Sequence, residues 1–148
     1  MGMKRTSFFY FTSFVTSLLS NSVTPLMRAA GYGRIVNVSS VSGPVVAYGG
    51  DVAYHAAKAG MVGLTRATAI DTADAGISVN AVAPGWIDTA SASAHERRMG
   101  AATPVGRSGN ADEVAYVIGF LAGEGASHIT GQLITIDGAN SISEERGQ

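Results

Sequence analysis

The sequence predicts an α/β fold built on a parallel sheet of about three strands with flanking helices, and three observations carry that expectation. Three short runs, Arg34 to Ser39, Ser78 to Ala83 and Gln132 to Ile136, are rich in β-branched residues. The first two are continuous rather than alternating, the pattern of strands buried on both faces. Helix-length stretches separate them, as parallel strands require. Each run also closes on turn residues: serines and Gly43, then Pro84-Gly85, then Asp137-Gly138. At 148 residues the chain is one domain at most, long enough to bury about two-thirds of its unfolded surface.

The start of the chain carries two readings. Lys4 and Arg5 ahead of a twelve-residue apolar stretch, with the small Ser20 and Ser22 two apart, imitate a secretion signal. The stretch holds several Ser and Thr, however, and is too short for a membrane span, which takes about 20 apolar residues. A helix over roughly residues 10 to 30 fits better, with Val15, Leu18, Leu19, Ser22, Val23, Leu26 and Met27 as its apolar stripe. Gly31 and Gly33 end it.

Arg34 to Ser39 then reads as a fully buried parallel strand, followed by a loop of small residues from Val41 to Asp51. A second helix runs from about Val52 to Ala75. Its Ala56, Ala57, Ala59, Gly60, Gly63, Ala67 and Ala69 permit close approach of another helix, although good helix propensity alone would explain the alanines. After the strand Ser78 to Ala83, residues 86 to 108 form a polar connection without strong periodicity, a length usually functional or mobile. Asn110 caps a further helix with Glu113 at the capping-box spacing, and Val114, Val117, Ile118 and Leu121 face the core.

Composition narrows function. A net charge of −1 without a basic run argues against nucleic acid, which needs clustered Lys and Arg. The absence of cysteine excludes disulfides and thiolate metal sites and is compatible with a reducing cytoplasm. His55, His95 and His128 are scattered and make no metal constellation.

The chemistry-bearing stretch is Tyr54 to Lys58. Residues four apart share a helix face, so a phenol and an ammonium converge there. A free tyrosine is ionised in only about one molecule in 10³ at pH 7, so proton transfer through it needs about 4 kcal/mol of help, part of which a nearby cation supplies. The spacing alone is weak; its setting strengthens it. Ser39, Ser40 and Ser42 all stand at the exit of the preceding strand, with Ser39 and Ser40 pointing to opposite sides. Pro84-Gly85 ends the following strand at its carboxyl end, where ligands of open α/β sheets bind. Trp86 beside it could wall a substrate or be a half-exposed aromatic without a role.

Together NVSSVSG, YHAAKAG, VNAVAPGWIDT and TGQLITIDGA resemble the short-chain dehydrogenase/reductase family in its commonest bacterial form, from about Val23 to Ala139. The resemblance implies the C-terminal part of a Rossmann-like doubly wound parallel sheet, with residues 1 to 22 a divergent start. It implies hydride transfer between NAD or NADP and a small carbonyl or alcohol substrate. Ser40, which precedes Val-x-Gly as in the family pattern, would hydrogen-bond the substrate oxygen. Tyr54 would be the general acid or base and would also address the nicotinamide half of the cofactor, while Lys58 would favour the phenolate and hold the nicotinamide ribose. The Pro84-Gly85 turn, the Ile87 backbone and the Thr89 hydroxyl would receive the nicotinamide amide. A cytoplasmic homo-oligomer, dimer or tetramer, is implied as well, through a helix–helix interface and without membrane or nucleic-acid partners.

The departures from the family pattern are as informative. There is no Gly-x-x-x-Gly-x-Gly phosphate turn, no ribose selector and no Asn-Asn-Ala-Gly-like segment. Where the family's helix-borne catalytic asparagine should fall stands Tyr10-Phe11-Thr12. Two expectations therefore stand: a family oxidoreductase truncated or mis-started at its N-terminus, or a non-catalytic α/β interaction module. In either case cofactor binding by this chain alone is expected to be weak or absent.

Overall fold

The computed structural model describes Ser20 and residues 22–144. In chain order its elements are α1 (residues 22–30), β1 (Gly33–Val38), α2 (Val52–Thr72), β2 (Ile77–Pro84), β3 (Ile87–Asp88), α3 (Ala94–Ala101), β4 (Gly109–Asn110), α4 (Ala111–Ala122) and β5 (Leu133–Ile136). The main sheet has the order β1-β2-β5 and is parallel throughout. Residues Val15, Leu18 and Leu19 of the expected stripe, and Tyr10 to Thr12, lie outside the described residues.

Why α1 stops is visible in its hydrogen bonds. Gly31 takes φ +65°, which costs glycine nothing, and donates to the Arg28 carbonyl at 3.1 Å while Tyr32 donates to the Met27 carbonyl at 3.2 Å. Of the stripe's described members, Met27 packs against the cluster of Ala69, Ile77 and Val79, whereas Leu26 is 73% exposed.

β2 is the centre of the fold. Its residues Ile77 through Ala83 are all buried, and it pairs on both sides, Gly33 with Ile77 through Val38 with Val82, and Ala81 with Leu133 through Pro84 with Ile136. Asn80, fully buried, uses its amide to donate to the Ile129 carbonyl at 2.7 Å and to accept the Gln132 N–H at 3.1 Å. It thus ties the chain entering β5 to the sheet. A buried polar group is tolerable only when satisfied in this way.

β1 corrects the sequence reading. It was expected to be fully buried, but Arg34, Ile35 and Val36 are half-buried and Val38 is 45% exposed. The reason is topological: β1 is an edge strand, paired only with β2 among the described residues. Continuous apolarity reports a strand that can be covered on both faces, not one that is.

α2 behaves as expected, its last turn tightening into a 3₁₀ turn at Ala73–Ala75 and ending at Gly76 with φ +71°. It buries Met61, Val62, Thr65, Ala69 and Thr72. The opposite face, with Gly60 and Gly63 facing open space and Ile70 82% exposed, is not packed on by any other described element. α4 packs on β1 and β2, burying Leu121 and half-burying Val114, Val117 and Ile118. Asn110 caps it through the expected box with Glu113.

Residues 86–108, expected as a polar connection without strong periodicity, carry regular structure. They contain β3 and α3 and lead into β4, which pairs in parallel with β3, Ile87 with Gly109 and Asp88 with Asn110. Ser93 and Glu96 form a second capping box at the N-terminus of α3. The signal, Ser-x-x-Glu, was present in the sequence, but the helix is short and polar, with little apolar periodicity to reveal it.

Asn80→Ala is expected to lower the unfolding free energy by about 2–4 kcal/mol, since it strands a buried carbonyl and a buried N–H. Urea unfolding of the two proteins measures it; a loss below the experimental error would show that Asn80 does not tie β5 to β2.

Candidate active site

Parallel strands bring their carboxyl ends to one edge of the sheet, and there the chemistry-bearing residues collect. The β1–β2 ladder continues past β1: Ser39 donates its N–H to the Val82 carbonyl at 2.8 Å, and Val41 donates to the Pro84 carbonyl at 3.1 Å. Ser39 through Val41 therefore stand beside the end of β2 and its Pro84-Gly85 exit.

α2 is pinned against this edge by a glycine. Gly43 has φ +110°, and a Cβ on it would fall 2.5 Å from the His55 carbonyl oxygen and 3.2 Å from the Ala59 nitrogen. Only glycine allows both the conformation and the approach. The backbone it touches, His55 to Ala59, spans the turn of α2 that ends at Lys58. Ser39 adds a second tie, its hydroxyl donating to the Lys58 carbonyl at 2.8 Å.

Tyr54 and Lys58 share a face of α2, with the Lys58 Nζ 5.7 Å from the centre of the Tyr54 ring. The same Nζ donates to the Val38 carbonyl at 3.0 Å, two residues before Ser40. Burial pushes the Lys58 ammonium below its usual pKa. Ser40 is buried, and its Oγ accepts the Ser42 N–H at 3.1 Å. The two serines are thus engaged differently: Ser39 holds α2, whereas Ser40 sits in the turn leaving β1.

His55 is a fixed strut of the same loop. Its Nε2 accepts the Tyr48 N–H at 3.2 Å, so Nδ1 carries the proton and donates to the Asp51 carbonyl at 2.8 Å. The Tyr48 ring packs edge-on against it at 4.5 Å.

The Pro84 to Thr89 segment lies at the exit of β2. Gly85 donates to the Ile136 carbonyl at 2.9 Å, and Ile87 pairs with Gly109. Thr89 is exposed, with its hydroxyl 3.2 Å from that of Ser91. Trp86 is half-buried and meets His95 of α3 edge-on at 6.4 Å, while Arg97 pairs with Asp88 at 3.2 Å. These contacts, unforeseen from sequence, seat α3 beside the strand ends.

Whether a dinucleotide fits can be tested on the helix N-termini, the usual seats of a pyrophosphate. The first turns of α3 and α4 are filled by their own carboxylates, Glu96 and Glu113, and α2 begins beside Asp51. Among the described residues, no helix start follows a strand through a turn of the phosphate-binding kind. Nothing among the described residues suits the diphosphate.

Among the described residues no helix is long and apolar enough to cross a membrane, and no group of His, Cys, Asp or Glu could hold a metal ion. Residues 8–139 match the family model described as enoyl-(acyl carrier protein) reductase. The 3-oxoacyl-(acyl-carrier-protein) reductase of Pseudomonas aeruginosa is 42% identical over 129 residues, covering 84% of this chain and 52% of that protein. A gluconate 5-dehydrogenase from Burkholderia cenocepacia, solved with NADP and tartrate, superposes with a TM-score of 0.76 at 30% identity, over 84% of this chain and 51% of its own. An acetoin dehydrogenase from Salmonella typhimurium gives 0.81 at 30% identity, over 97% and 58%. The chain spans about half the length of the curated relatives it matches.

The return of the 86–108 excursion is fixed by Arg107, which grips Glu113 through two nitrogens at 2.9 and 2.6 Å. The Arg107 side chain, then the Asn110 N–H, hold the Glu113 carboxyl down at about 2 from an ordinary 4.5. A carboxyl whose folded value lies below its unfolded one stabilises the fold above the unfolded value, and that contribution is lost as pH falls from about 4.5 through about 2. Glu113→Gln is therefore expected to flatten the fall in stability across that window, measured by urea unfolding at stepped pH. Parallel curves for the two proteins would contradict it.

Proposed function

The chain belongs to the short-chain dehydrogenase/reductase family, and on that premise we propose that it carries the catalytic half of an NAD- or NADP-dependent oxidoreductase acting on a small carbonyl or alcohol. The observation that supports this most is the placing of Lys58, whose ammonium lies close to the Tyr54 ring while bonded to the strand end two residues before Ser40.

The chemistry a bound nicotinamide would supply is hydride transfer, to a carbonyl carbon or from an alcohol. As negative charge gathers on the substrate oxygen, the Tyr54 hydroxyl passes it a proton and the Ser40 hydroxyl supplies a second hydrogen bond. Lys58, partly stripped of water, stabilises the phenolate left on Tyr54, because a charge acts more strongly where solvent is excluded. In the other direction the Tyr54 phenolate takes the alcohol proton. Lys58 would hold the ribose, and the Pro84-Gly85 turn, the Ile87 backbone and the Thr89 hydroxyl would hold the carboxamide.

A second reading, a non-catalytic α/β interaction module, is favoured by one feature: the carboxylates already occupying the N-termini of α3 and α4. If three or four hydrogen bonds to charged groups are missing at the diphosphate, at about 1.5–3 kcal/mol each, affinity falls by about 5–12 kcal/mol. Each 1.4 kcal/mol is about tenfold, so a micromolar site becomes a millimolar one or weaker. Calorimetric titration of the purified chain with both cofactors is expected to show no binding in the micromolar range; a micromolar dissociation constant would overturn the half-site.

The two readings separate in a chimera that joins this chain behind the portion of the Pseudomonas aeruginosa reductase outside the match. Turnover with a ketone, reduced about 10²–10⁴-fold by Tyr54→Phe, is the catalytic outcome. A folded chimera that binds cofactor without turnover favours the interaction module.

A further inference from the structure

Both ends of the 86–108 excursion rest on one turn, residues 137–142. Where the chain leaves β2, Gly85 is seated so closely that a Cβ on it would lie 2.6 Å from the Asp137 Cβ and 2.9 Å from its Cα. Where the chain returns after α3, Val105 lies against Gly138: a Cβ there would meet the Val105 Cβ at 3.3 Å and the Thr103 Oγ1 at 3.5 Å. Thr103 is buried and donates its hydroxyl to the Arg107 carbonyl at 2.9 Å, closing the returning loop on itself.

The turn is in turn built on one carboxylate. Asp137 accepts the Ala139 N–H on Oδ1 at 3.1 Å and the Ser141 N–H on Oδ2 at 2.7 Å, while its carbonyl accepts the Asn140 N–H at 3.2 Å. These bonds brace Ala139 at φ 67°, a left-handed conformation that residues with a Cβ adopt uncommonly.

We propose that Asp137 is a positioning residue for the whole excursion: its carboxylate shapes the turn on which Gly85 and Val105 both seat, and so sets where Trp86 and Ile87 stand at the strand ends. It touches no reacting atom. Its functional consequence, placement of the segment assigned to the nicotinamide carboxamide, rests on the proposed function; its structural consequence does not.

Trp86 is the only tryptophan and reports the leaving end directly. The Gly109 amide, which donates to the Trp86 carbonyl at 2.9 Å, reports the same segment by hydrogen exchange. In Asp137→Ala, acrylamide quenching of Trp86 is expected to rise about twofold and Gly109 exchange to quicken about tenfold or more, with the Val79 and Val82 amides of β2 still protected. Asp137→Asn keeps the size and one acceptor, so it should fall between the two. Unchanged Trp86 quenching in folded Asp137→Ala overturns the proposal, as does equal loss of protection in β2, which would mean general destabilisation. If Asp137→Ala does not fold, Asp137→Asn decides by the same two readouts. Neither readout involves cofactor, so failure of the dinucleotide titration leaves the result standing.

Discussion

The candidate site depends on one close approach of backbone to backbone. Gly43, at a φ that excludes most residues, lets the chain leaving β1 lie against His55 to Ala59 of α2. Without that approach the serines and the Tyr54–Lys58 pair would belong to separate elements. With it, the Lys58 ammonium reaches the Val38 carbonyl and the Ser39 hydroxyl reaches the Lys58 carbonyl, two reciprocal ties between strand end and helix. Lys58 is half-buried there, and that burial holds its ammonium below the usual pKa.

The sheet is closed at its centre and open at one edge among the described residues. β2 is paired on both sides and buried throughout, whereas β1 is an edge among the described residues and leaves Val38 45% exposed. In a doubly wound sheet the ligand crevice opens where two halves of the strand order meet, and each half contributes one wall. On the proposed function, the residues described here would furnish the wall with proton-transfer groups. The wall that would receive a diphosphate has no counterpart among them, and the helix starts that could have substituted are filled by Glu96 and Glu113.

Much of this was legible in the sequence because it depends on local rules. Tyr54 and Lys58 share a face through helical spacing alone, the Asn110–Glu113 box follows from side-chain reach, and Pro84-Gly85 marks a strand exit. What escaped depends on neighbours remote in sequence. The exposure of β1 follows from which strand lies beside it, not from its own residues. The separate engagement of Ser39 and Ser40 needed the position of the Lys58 carbonyl. The Asp137 turn joins residues about 30 and 50 positions apart through glycines whose spacing carries no signal. α3 was missed for another reason: its capping box was readable, but its polar face gave no periodicity to anchor it.

The most direct test of the Gly43 constraint is made at Lys58 itself. The chain holds only two lysines, Lys4 and Lys58, so selective 15N-lysine labelling yields two side-chain ammonium signals. The Lys58 signal should be shifted and slowed in proton exchange by its bond to the Val38 carbonyl. In Gly43→Ala, where a Cβ would fall 2.5 Å from the His55 oxygen, that signal should move to the position and exchange rate of free lysine in the same buffer while the β2 amides remain protected. A Lys58 ammonium left unchanged in a folded Gly43→Ala protein would contradict the account.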